Sequence, residues 1–219
     1  MDTIIDYYSK GQGKGEAEYI VPRHEKALFW LKGLKGVKNF LDVGCGSGLF
    51  LEHAKKLLPD CKLYGIELNQ MYFAEARSKG FEMHSFDVTH QWPFENENFD
   101  VIHCSAVIEH LFDYKKFFTE CNRCLKPRGT LIISCPNVGS LQCRIELLTG
   151  NVPVWYRNFE HIRMWTKKYL VKIIGDYGFT MKLFAGVHGQ KNIIRSLLEV
   201  IAPTLSTEFV VLFVKTDNI

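Results

Sequence analysis

Short apolar runs alternate with helix-like segments along most of the chain. The runs are typical of strands buried on both faces, because few polar residues interrupt them. These predicted strands cover residues 39–43, 62–67, 83–86, 99–104 and 130–135. The predicted helices between them cover residues 49–58, 69–80 and 113–126. Successive strand–helix–strand units imply an α/β fold, with a parallel sheet and helices on both faces.

The alternation of predicted strands and helices is less regular at the two ends of the chain. A glycine-rich loop at 11–15 precedes a predicted helix from about Pro22 to Leu34. An aromatic and polar loop spans residues 150–165. The remaining predicted elements are helices at 140–148 and 166–177, strands at 179–184 and 208–215, and an amphipathic segment at 191–201.

Composition narrows the class of protein. The 219 residues suit one domain, and 47% hydrophobic with 23% charged residues is typical of a globular chain. A net charge of +3 without a lysine or arginine block does not indicate nucleic-acid binding. No apolar run approaches the roughly 20 residues that span a bilayer, and the first residues lack a signal-peptide pattern. We therefore predict a cytoplasmic protein, as a monomer or homodimer.

Cysteine usage agrees with that location. The seven cysteines are an odd number and lie mostly in apolar segments, which favours a reduced protein over a disulfide framework. Cys121 and Cys124 have a spacing seen in metal sites. They also share one face of an apolar helix, so we predict that they pack in the core.

The sequence LDVGCGSG at 41–48 links the first strand to the first helix of the repeating part. Glycines at 44, 46 and 48 let the backbone approach a ligand, because they tolerate positive φ and have no Cβ. A dinucleotide fingerprint requires GxGxxG, with a third glycine that this spacing lacks. Asp42 would also repel a pyrophosphate, whereas it could orient the zwitterionic tail of an amino acid. Glu67, after the second strand, could accept hydrogen bonds from ribose hydroxyls.

Further motifs follow in a fixed order. They are GIE at 65–67, FDV at 86–88, WPF at 92–94 with FDVI at 99–102, IEHL at 108–111 and LKPRGTL at 125–131. Together with LDVGCGSG, this series resembles class I S-adenosylmethionine-dependent methyltransferases of the small-molecule branch. The resemblance covers residues 38–136, and HIRMWT at 161–166 resembles the later part of the same branch. It implies a Rossmann-like, seven-stranded, mostly parallel sheet whose last strand is antiparallel.

The resemblance also implies a division of the single domain at 1–219. Residues 1–36 would form an N-terminal cap or lid, 37–136 the cofactor-binding core, and 137–219 the substrate-side region with the last strands. The cofactor would be S-adenosylmethionine, which becomes S-adenosylhomocysteine. The residues implied to hold it are Asp42, Gly44, Cys45, Gly46, Gly48, Glu67, Leu68, Asp87, Val88, Cys104 and Ser105.

Two histidines are candidate catalytic residues. His110 follows the fourth strand at the ligand-binding edge of the sheet, and His161 lies in the aromatic loop. An imidazole suits a general base because its pKa lies near neutrality. Related quinone and small-RNA methyltransferases carry Glu-x-x-Glu-His, which binds a divalent ion. Ala106 replaces the first of those carboxylates, and we predict no metal site around Glu109.

These observations predict an enzyme that methylates an oxygen or nitrogen of a small molecule. The main alternatives are an RNA methyltransferase and a non-catalytic module that binds S-adenosylmethionine. An NAD-dependent oxidoreductase is disfavoured by the glycine spacing. The identity of the acceptor, and the role of the 191–201 segment, have no motif that indicates them.

Overall fold

A computed structural model describes residues 19–189 and 193–216. Its strands are β1 (Asn39–Val43), β2 (Lys62–Ile66), β3 (Glu82–His84), β4 (Phe99–Ser105), β5 (Leu125–Pro136), β6 (Phe179–Val187) and β7 (Glu208–Lys215). Its helices are α1 (Pro22–Gly33), α2 (Leu49–Leu57), α3 (Gln70–Ser78), α4 (Tyr114–Cys124), α5 (Leu141–Leu148), α6 (Lys167–Gly175) and α7 (Ile193–Ile201). The loop at 11–15 lies outside the described residues.

The strands form one sheet in the order β3-β2-β1-β4-β5-β7-β6. Strands β1 to β5 pair in parallel, whereas β7 runs antiparallel to both of its neighbours, β5 and β6. This topology confirms the predicted Rossmann-like sheet with an antiparallel last strand. The carboxyl ends of β1, β2, β4 and β5 meet at one edge, which is where open α/β sheets bind ligands.

Alternate residues of the central strands face two separate apolar layers. Leu41 and Val43 of β1 belong to a cluster that contains Phe117 and Phe118 of α4. Phe40, which precedes Leu41, belongs to a second cluster with residues of α1 and α2. Helices therefore cover both faces of the sheet, as the continuous apolar strands predicted.

Several helices have a side-chain N-cap at the residue where the sequence predicted the helix to start. Asn69 Oδ1 accepts hydrogen bonds from the N–H groups of Met71 and Tyr72 and thereby forms the N-cap of α3. Ser140 and Thr166 cap α5 and α6 in the same way.

The boundary between α4 and β5 differs from the prediction. The helix ends at Cys124 and the strand begins at Leu125, whereas the sequence predicted a helix to 126 and a strand from 130. Residues 127–129 read Pro-Arg-Gly, which is typical of a turn. The structure accommodates them inside the strand because Arg128 adopts a left-handed φ of 60°. The register with β4 shifts between Phe99 and Val101.

The cysteines behave as predicted. All seven are buried and none forms a disulfide. Cys121 and Cys124 are both 0% exposed within the larger apolar cluster, which confirms that they pack in the core. Within residues 19–189 and 193–216, no helix is long and apolar enough to cross a membrane. The cytoplasmic location stays a prediction.

Glu120 anchors α4 to the loop before β4. Its Oε2 accepts hydrogen bonds from Trp92 N–H at 2.8 Å and from Arg123 Nη2 at 2.6 Å. Burial by itself would raise the pKa of Glu120, but the hydrogen bonds from Arg123 and Trp92 outweigh it and hold the pKa below its usual range. The ionised carboxylate therefore stabilises the folded state above the unfolded pKa of about 4.3, and this contribution is lost as the pH falls through the lower folded pKa.

We expect Glu120→Gln to lower the free energy of unfolding by about 2 kcal/mol near neutral pH, because two charge-assisted hydrogen bonds are lost. The difference from wild type should shrink in acid, where wild-type Glu120 is itself protonated. Urea denaturation at neutral and acidic pH measures both effects. Glu95→Gln is the control, since Glu95 is exposed. A constant difference across the pH range would contradict this role for the ionised carboxylate.

Candidate functional site

The turn between β1 and α2 adopts the conformation that its glycines predict. Gly44, Gly46 and Gly48 have φ values of 69°, 54° and 82°. These left-handed values favour glycine. A Cβ on Gly44 would collide with Cγ2 of Val107, so the absence of a side chain there is also a packing requirement. The turn lies beside a cavity at the carboxyl edge of the sheet.

This cavity has a volume of about 510 Å³ and continues from the glycine turn to the aromatic loop at 150–165. Most of the predicted site residues line it. They are Asp42, Gly44, Gly46, Glu67, Leu68, Asp87, Val88, Ser105, His110 and His161. Among the described residues, the cavity wall does not include Gly48, Cys45 or Cys104. The two cysteines are buried in the apolar clusters, so any role in binding stays a prediction.

Glu67 bridges two loops at the floor of the cavity. Its Oε2 accepts a hydrogen bond from Gly46 N–H at 2.9 Å, and its Oε1 accepts one from Asn69 N–H at 2.8 Å. Burial raises the pKa of Glu67, and these backbone donors oppose that shift. Each carboxylate oxygen retains a lone pair after these bonds. The group can therefore orient the glycine turn and still accept hydrogen bonds from a pair of hydroxyls.

Asp87 and Val88 lie at the rim near the end of β3. Asp87 Oδ1 accepts hydrogen bonds from the N–H and Oγ1–H of Thr89, at 2.9 and 2.8 Å. The Trp92 indole donates to the carbonyl of Val88 at 3.0 Å and is itself only 2% exposed. Trp92 therefore supports this part of the wall from behind.

Asp42 forms a buried pair that the sequence did not predict. Nδ1 of His103 donates a hydrogen bond to its Oδ1 at 2.7 Å, and both side chains line the cavity. The His103 ring stacks on Phe50 with ring centroids 3.9 Å apart. The local sequence gave no signal for this pair, because His103 reads simply as part of the apolar strand β4.

Helix α1 contributes a cation to the cavity wall. Arg23 Nε donates to Ser105 Oγ at 3.1 Å, and its Nη1 lies 3.1 Å from Oε2 of Glu208 at the start of β7. His24 Nε2 also lies 3.1 Å from Ser105 Oγ. Burial, followed by the charges of neighbouring groups, lowers the pKa of His24 to about 2, so this imidazole is neutral.

The two predicted catalytic histidines are neighbours in the cavity wall. Nδ1 of His110 donates to the carbonyl of Glu160 at 2.9 Å, and Nδ1 of His161 donates to the carbonyl of Trp155 at 3.0 Å. A carbonyl can only accept, so in each neutral imidazole the lone pair is on Nε2. The ring centroids are 5.0 Å apart. Burial lowers the pKa of His110 and favours its neutral form.

Arg163 ties the loop after β4 to the aromatic loop. Its N–H donates to the Glu109 carbonyl at 3.0 Å, and its guanidinium donates to the carbonyls of Leu111 and Phe112. The guanidinium also lies 4.6 Å from the centre of the Tyr114 ring. These contacts hold His110 and His161 on two loops that are otherwise far apart in sequence.

The cavity wall is strongly acidic. Six carboxyl side chains line it: Asp42, Glu67, Asp87, Glu109, Glu160 and Glu208. Among the described lining residues, Arg23 is the one lysine or arginine side chain, and it already contacts Glu208. This balance favours cationic and neutral ligands over polyanions.

The arrangement fits S-adenosylmethionine. Glu67 offers acceptors for ribose hydroxyls, and Arg23 offers a guanidinium for the carboxylate of the methionine part. Gly44 and Gly46 have no side chain to project into the cavity that they line. The histidine pair lines the same cavity.

Comparison with known proteins agrees with this chemistry. The profile of a methyltransferase domain family matches residues 16–182. The chain is 28% identical over 185 residues to a protein of Mycolicibacterium smegmatis named a probable S-adenosylmethionine-dependent methyltransferase, covering 81% of this chain and 66% of that protein. It is 30% identical over 119 residues to a ubiquinone biosynthesis O-methyltransferase of Rhodopseudomonas palustris, covering 52% of this chain and 45% of the relative. The chain thus spans between about half and two thirds of these relatives.

Solved structures show the same fold. An S-adenosylmethionine-dependent methyltransferase from Mesorhizobium loti superposes with a TM-score of 0.63 at 15% identity, covering 88% of this chain and 98% of that one. Three quarters of the chain match the family profile, and residues from several of the ordered motifs line the cavity. The chain therefore belongs to the methyltransferase domain family of the S-adenosylmethionine-dependent class, which confirms the resemblance that its ordered motifs carry.

Proposed function

We propose that this protein transfers the methyl group of S-adenosylmethionine to an oxygen or nitrogen of a small molecule. The observation that carries this proposal is the continuity of one cavity. The glycine turn, Glu67, His110 and His161 all line it. A molecule held beside the two histidines would share the cavity with the cofactor.

Bound S-adenosylmethionine supplies a methyl group on a positively charged sulfur, which is a very good leaving group. The protein's main task is then to hold the nucleophile in line with the methyl group, and such orientation can contribute roughly 7 kcal/mol or more. An acceptor that carries a proton must also lose it. We assign the receipt of that proton to His110 or His161, because an imidazole can act as a general base near neutral pH.

The acidity of the cavity supports a small molecule over RNA. RNA binding depends largely on phosphate contacts with lysine and arginine. Six carboxyl groups line this cavity, and Arg23 is the one lysine or arginine side chain among its described lining residues. The relative named for ubiquinone biosynthesis is an O-methyltransferase, which supports an oxygen acceptor, while the lining residues suit oxygen and nitrogen equally.

Labelled S-adenosylmethionine tests this proposal directly. The purified protein is incubated with the labelled cofactor and either a low-mass metabolite extract or total RNA. We expect label in the low-mass fraction and formation of S-adenosylhomocysteine. Label in RNA would support the RNA methyltransferase instead. Tight cofactor binding without transfer to either fraction would support a non-catalytic module.

His110→Ala and His161→Ala are expected to separate catalysis from cofactor binding. Turnover should fall by roughly 100-fold or more in at least one variant, because general-base catalysis contributes about that much. The affinity for S-adenosylhomocysteine should stay unchanged, which calorimetry measures. His53→Ala is the matched control, since His53 lies on α2 outside the cavity wall. Normal turnover in both variants would contradict the base role.

A further inference from the structure

His103 is a buried histidine beside the apolar cluster that contains Phe40 and Phe50. The residue is 1% exposed, and its ring stacks on that of Phe50. Its Nε2 is buried and has no hydrogen-bond partner among the described residues. Burying a polar atom in this way costs free energy that an apolar ring of similar size would not cost. Packing alone therefore does not explain a histidine at this position.

The contact with Asp42 explains it. His103 and Asp42 lie side by side in the sheet, on the paired strands β4 and β1. Nδ1 of His103 is 2.7 Å from Oδ1 of Asp42. A carboxylate can only accept, so Nδ1 carries the proton of this bond. Among the described residues, His103 is the one hydrogen-bond partner of the Asp42 carboxyl group, which therefore depends on His103 for its orientation.

Asp42 still has the capacity to accept hydrogen bonds from a ligand. A carboxylate offers about four lone-pair sites, and the bond from His103 uses one of them. Asp42 also lines the cavity, although it is only 2% exposed. A buried carboxylate is stable when a cation pairs with it and fills its remaining sites. S-adenosylmethionine carries such a cation in its amino-acid part, where the ammonium group has three N–H donors.

The surroundings of His103 connect Asp42 with the expected partner of the cofactor's carboxylate. The His103 ring is 6.2 Å from the ring of His24, the residue that follows Arg23 on α1. Arg23 Nε and His24 Nε2 each lie 3.1 Å from Ser105 Oγ. Arg23 and Asp42 both line the cavity. A guanidinium and a carboxylate in one cavity wall match the two opposite charges of a zwitterionic amino acid.

A direct catalytic role fits His103 less well. A general base needs a ring lone pair that the reacting proton can reach, and Nε2 of His103 is buried. Its other ring nitrogen already donates to Asp42. A purely structural pair is the remaining alternative. It predicts that loss of His103 lowers stability without any effect specific to the ammonium group of a ligand.

We propose that His103 is a positioning residue for cofactor recognition. Through Nδ1 it holds the Asp42 carboxylate in place, so that the remaining lone pairs of Asp42 bind the ammonium group of the methionine part. The inference goes beyond the proposed methyl transfer, because it concerns the cofactor alone and requires no acceptor. It also gives a function to a residue that the apolar pattern of β4 does not distinguish.

The deaminated analogue of S-adenosylhomocysteine isolates the contribution of the ammonium group. It has hydrogen in place of the amino group and retains the adenosine and the carboxylate. Calorimetry measures the affinity of each ligand. We expect wild type to prefer S-adenosylhomocysteine by roughly tenfold or more, since a charge-assisted hydrogen bond depends on the amino group. His103→Phe, which keeps an aromatic ring beside Phe50, should lower this preference to roughly threefold or less.

Further variants separate the hydrogen bond from packing. His103→Asn has an amide donor close to the position of Nδ1 and should retain part of the preference, whereas His103→Leu, of similar size, should lose it. Asp42→Asn should also lose it. Adding His103→Phe to Asp42→Asn should then cause no further loss, because His103 acts through Asp42. His53→Phe, on α2 and outside the cavity wall, should behave as wild type.

Several results would overturn the proposal. Equal binding of the two ligands to wild type would do so, as would an unchanged preference in His103→Phe. Additive losses in the double variant would show that His103 does not act through Asp42. An equal loss of affinity for S-adenosylhomocysteine and 5′-methylthioadenosine would mean that the ring supports the glycine turn through Phe50.

Two features of the design keep the outcome clear. If His103→Phe does not fold, the pair His103→Asn and His103→Leu decides the same question, and an equal preference in these two variants would contradict the proposal. The titrations contain no methyl acceptor. Their result is therefore independent of the labelling experiment that tests the proposed function.

Discussion

Replacing Glu67 by alanine is expected to weaken S-adenosylhomocysteine binding by roughly 100-fold. The ionised carboxylate would accept hydrogen bonds from ribose hydroxyls, and two such charge-assisted bonds are worth about 3 kcal/mol together. The substitution also removes the acceptor for Gly46 N–H and Asn69 N–H, so the glycine turn loses its link to α3. Isothermal calorimetry measures the affinity directly.

Two further measurements make this result specific. Adenine alone should bind the Glu67→Ala variant as weakly as it binds wild type, because it has no ribose. Glu95→Ala, at an exposed position, should leave the affinity unchanged. If Glu67→Ala bound S-adenosylhomocysteine as wild type does, the ribose role of Glu67 would be refuted.

Arg23→Met is expected to weaken S-adenosylhomocysteine binding by roughly 30-fold. Arg23 is the one lysine or arginine side chain among the described residues of the cavity wall. We therefore expect it to bind the carboxylate of the methionine part. Removing a partly buried charge-assisted pair costs about 2 kcal/mol. Methionine retains much of the side-chain volume, which limits the loss of packing.

The ligand 5′-methylthioadenosine separates this role from a purely structural one. It has the adenosine and the sulfur but no carboxylate, so Arg23→Met should bind it as wild type does. An equal loss of affinity for both ligands would mean that Arg23 acts through the position of α1. Lys32→Met, at an exposed position of the same helix, is the matched control.

The fold could be predicted from the sequence because its strands are short, buried and continuous in their apolar character. The parallel order follows from helix-like segments between them, and the antiparallel β7 came from the family resemblance. The prediction was wrong where local chemistry was misleading. Pro127 and Gly129 indicate a turn, yet they lie in an irregular part of β5 between Leu125, which pairs with Phe99, and Thr130, where regular pairing with β4 resumes.

The site could be predicted only in part. Some site residues follow the ends of predicted strands, and their position along the chain therefore indicates them. They are the glycine turn, Glu67 and Asp87. Arg23 and Glu208 were missed because they are 185 residues apart and meet only in the folded protein. The environment of Glu109 could not be predicted either. Its carboxyl oxygens have no hydrogen-bond partner among the described residues, which is a property of packing that no residue pattern expresses.

The position of β7 bears on how the protein folds as it is synthesised. Strand β7 lies between β5 and β6, so β6 has no neighbour in the sheet until the last described element has formed. Until then one edge of β5 has no partner strand, and it could pair incorrectly with another strand. Glu208, the first residue of β7, also holds Arg23 of the first described helix. The chain must therefore be synthesised at least through β7 before the cofactor pocket is complete.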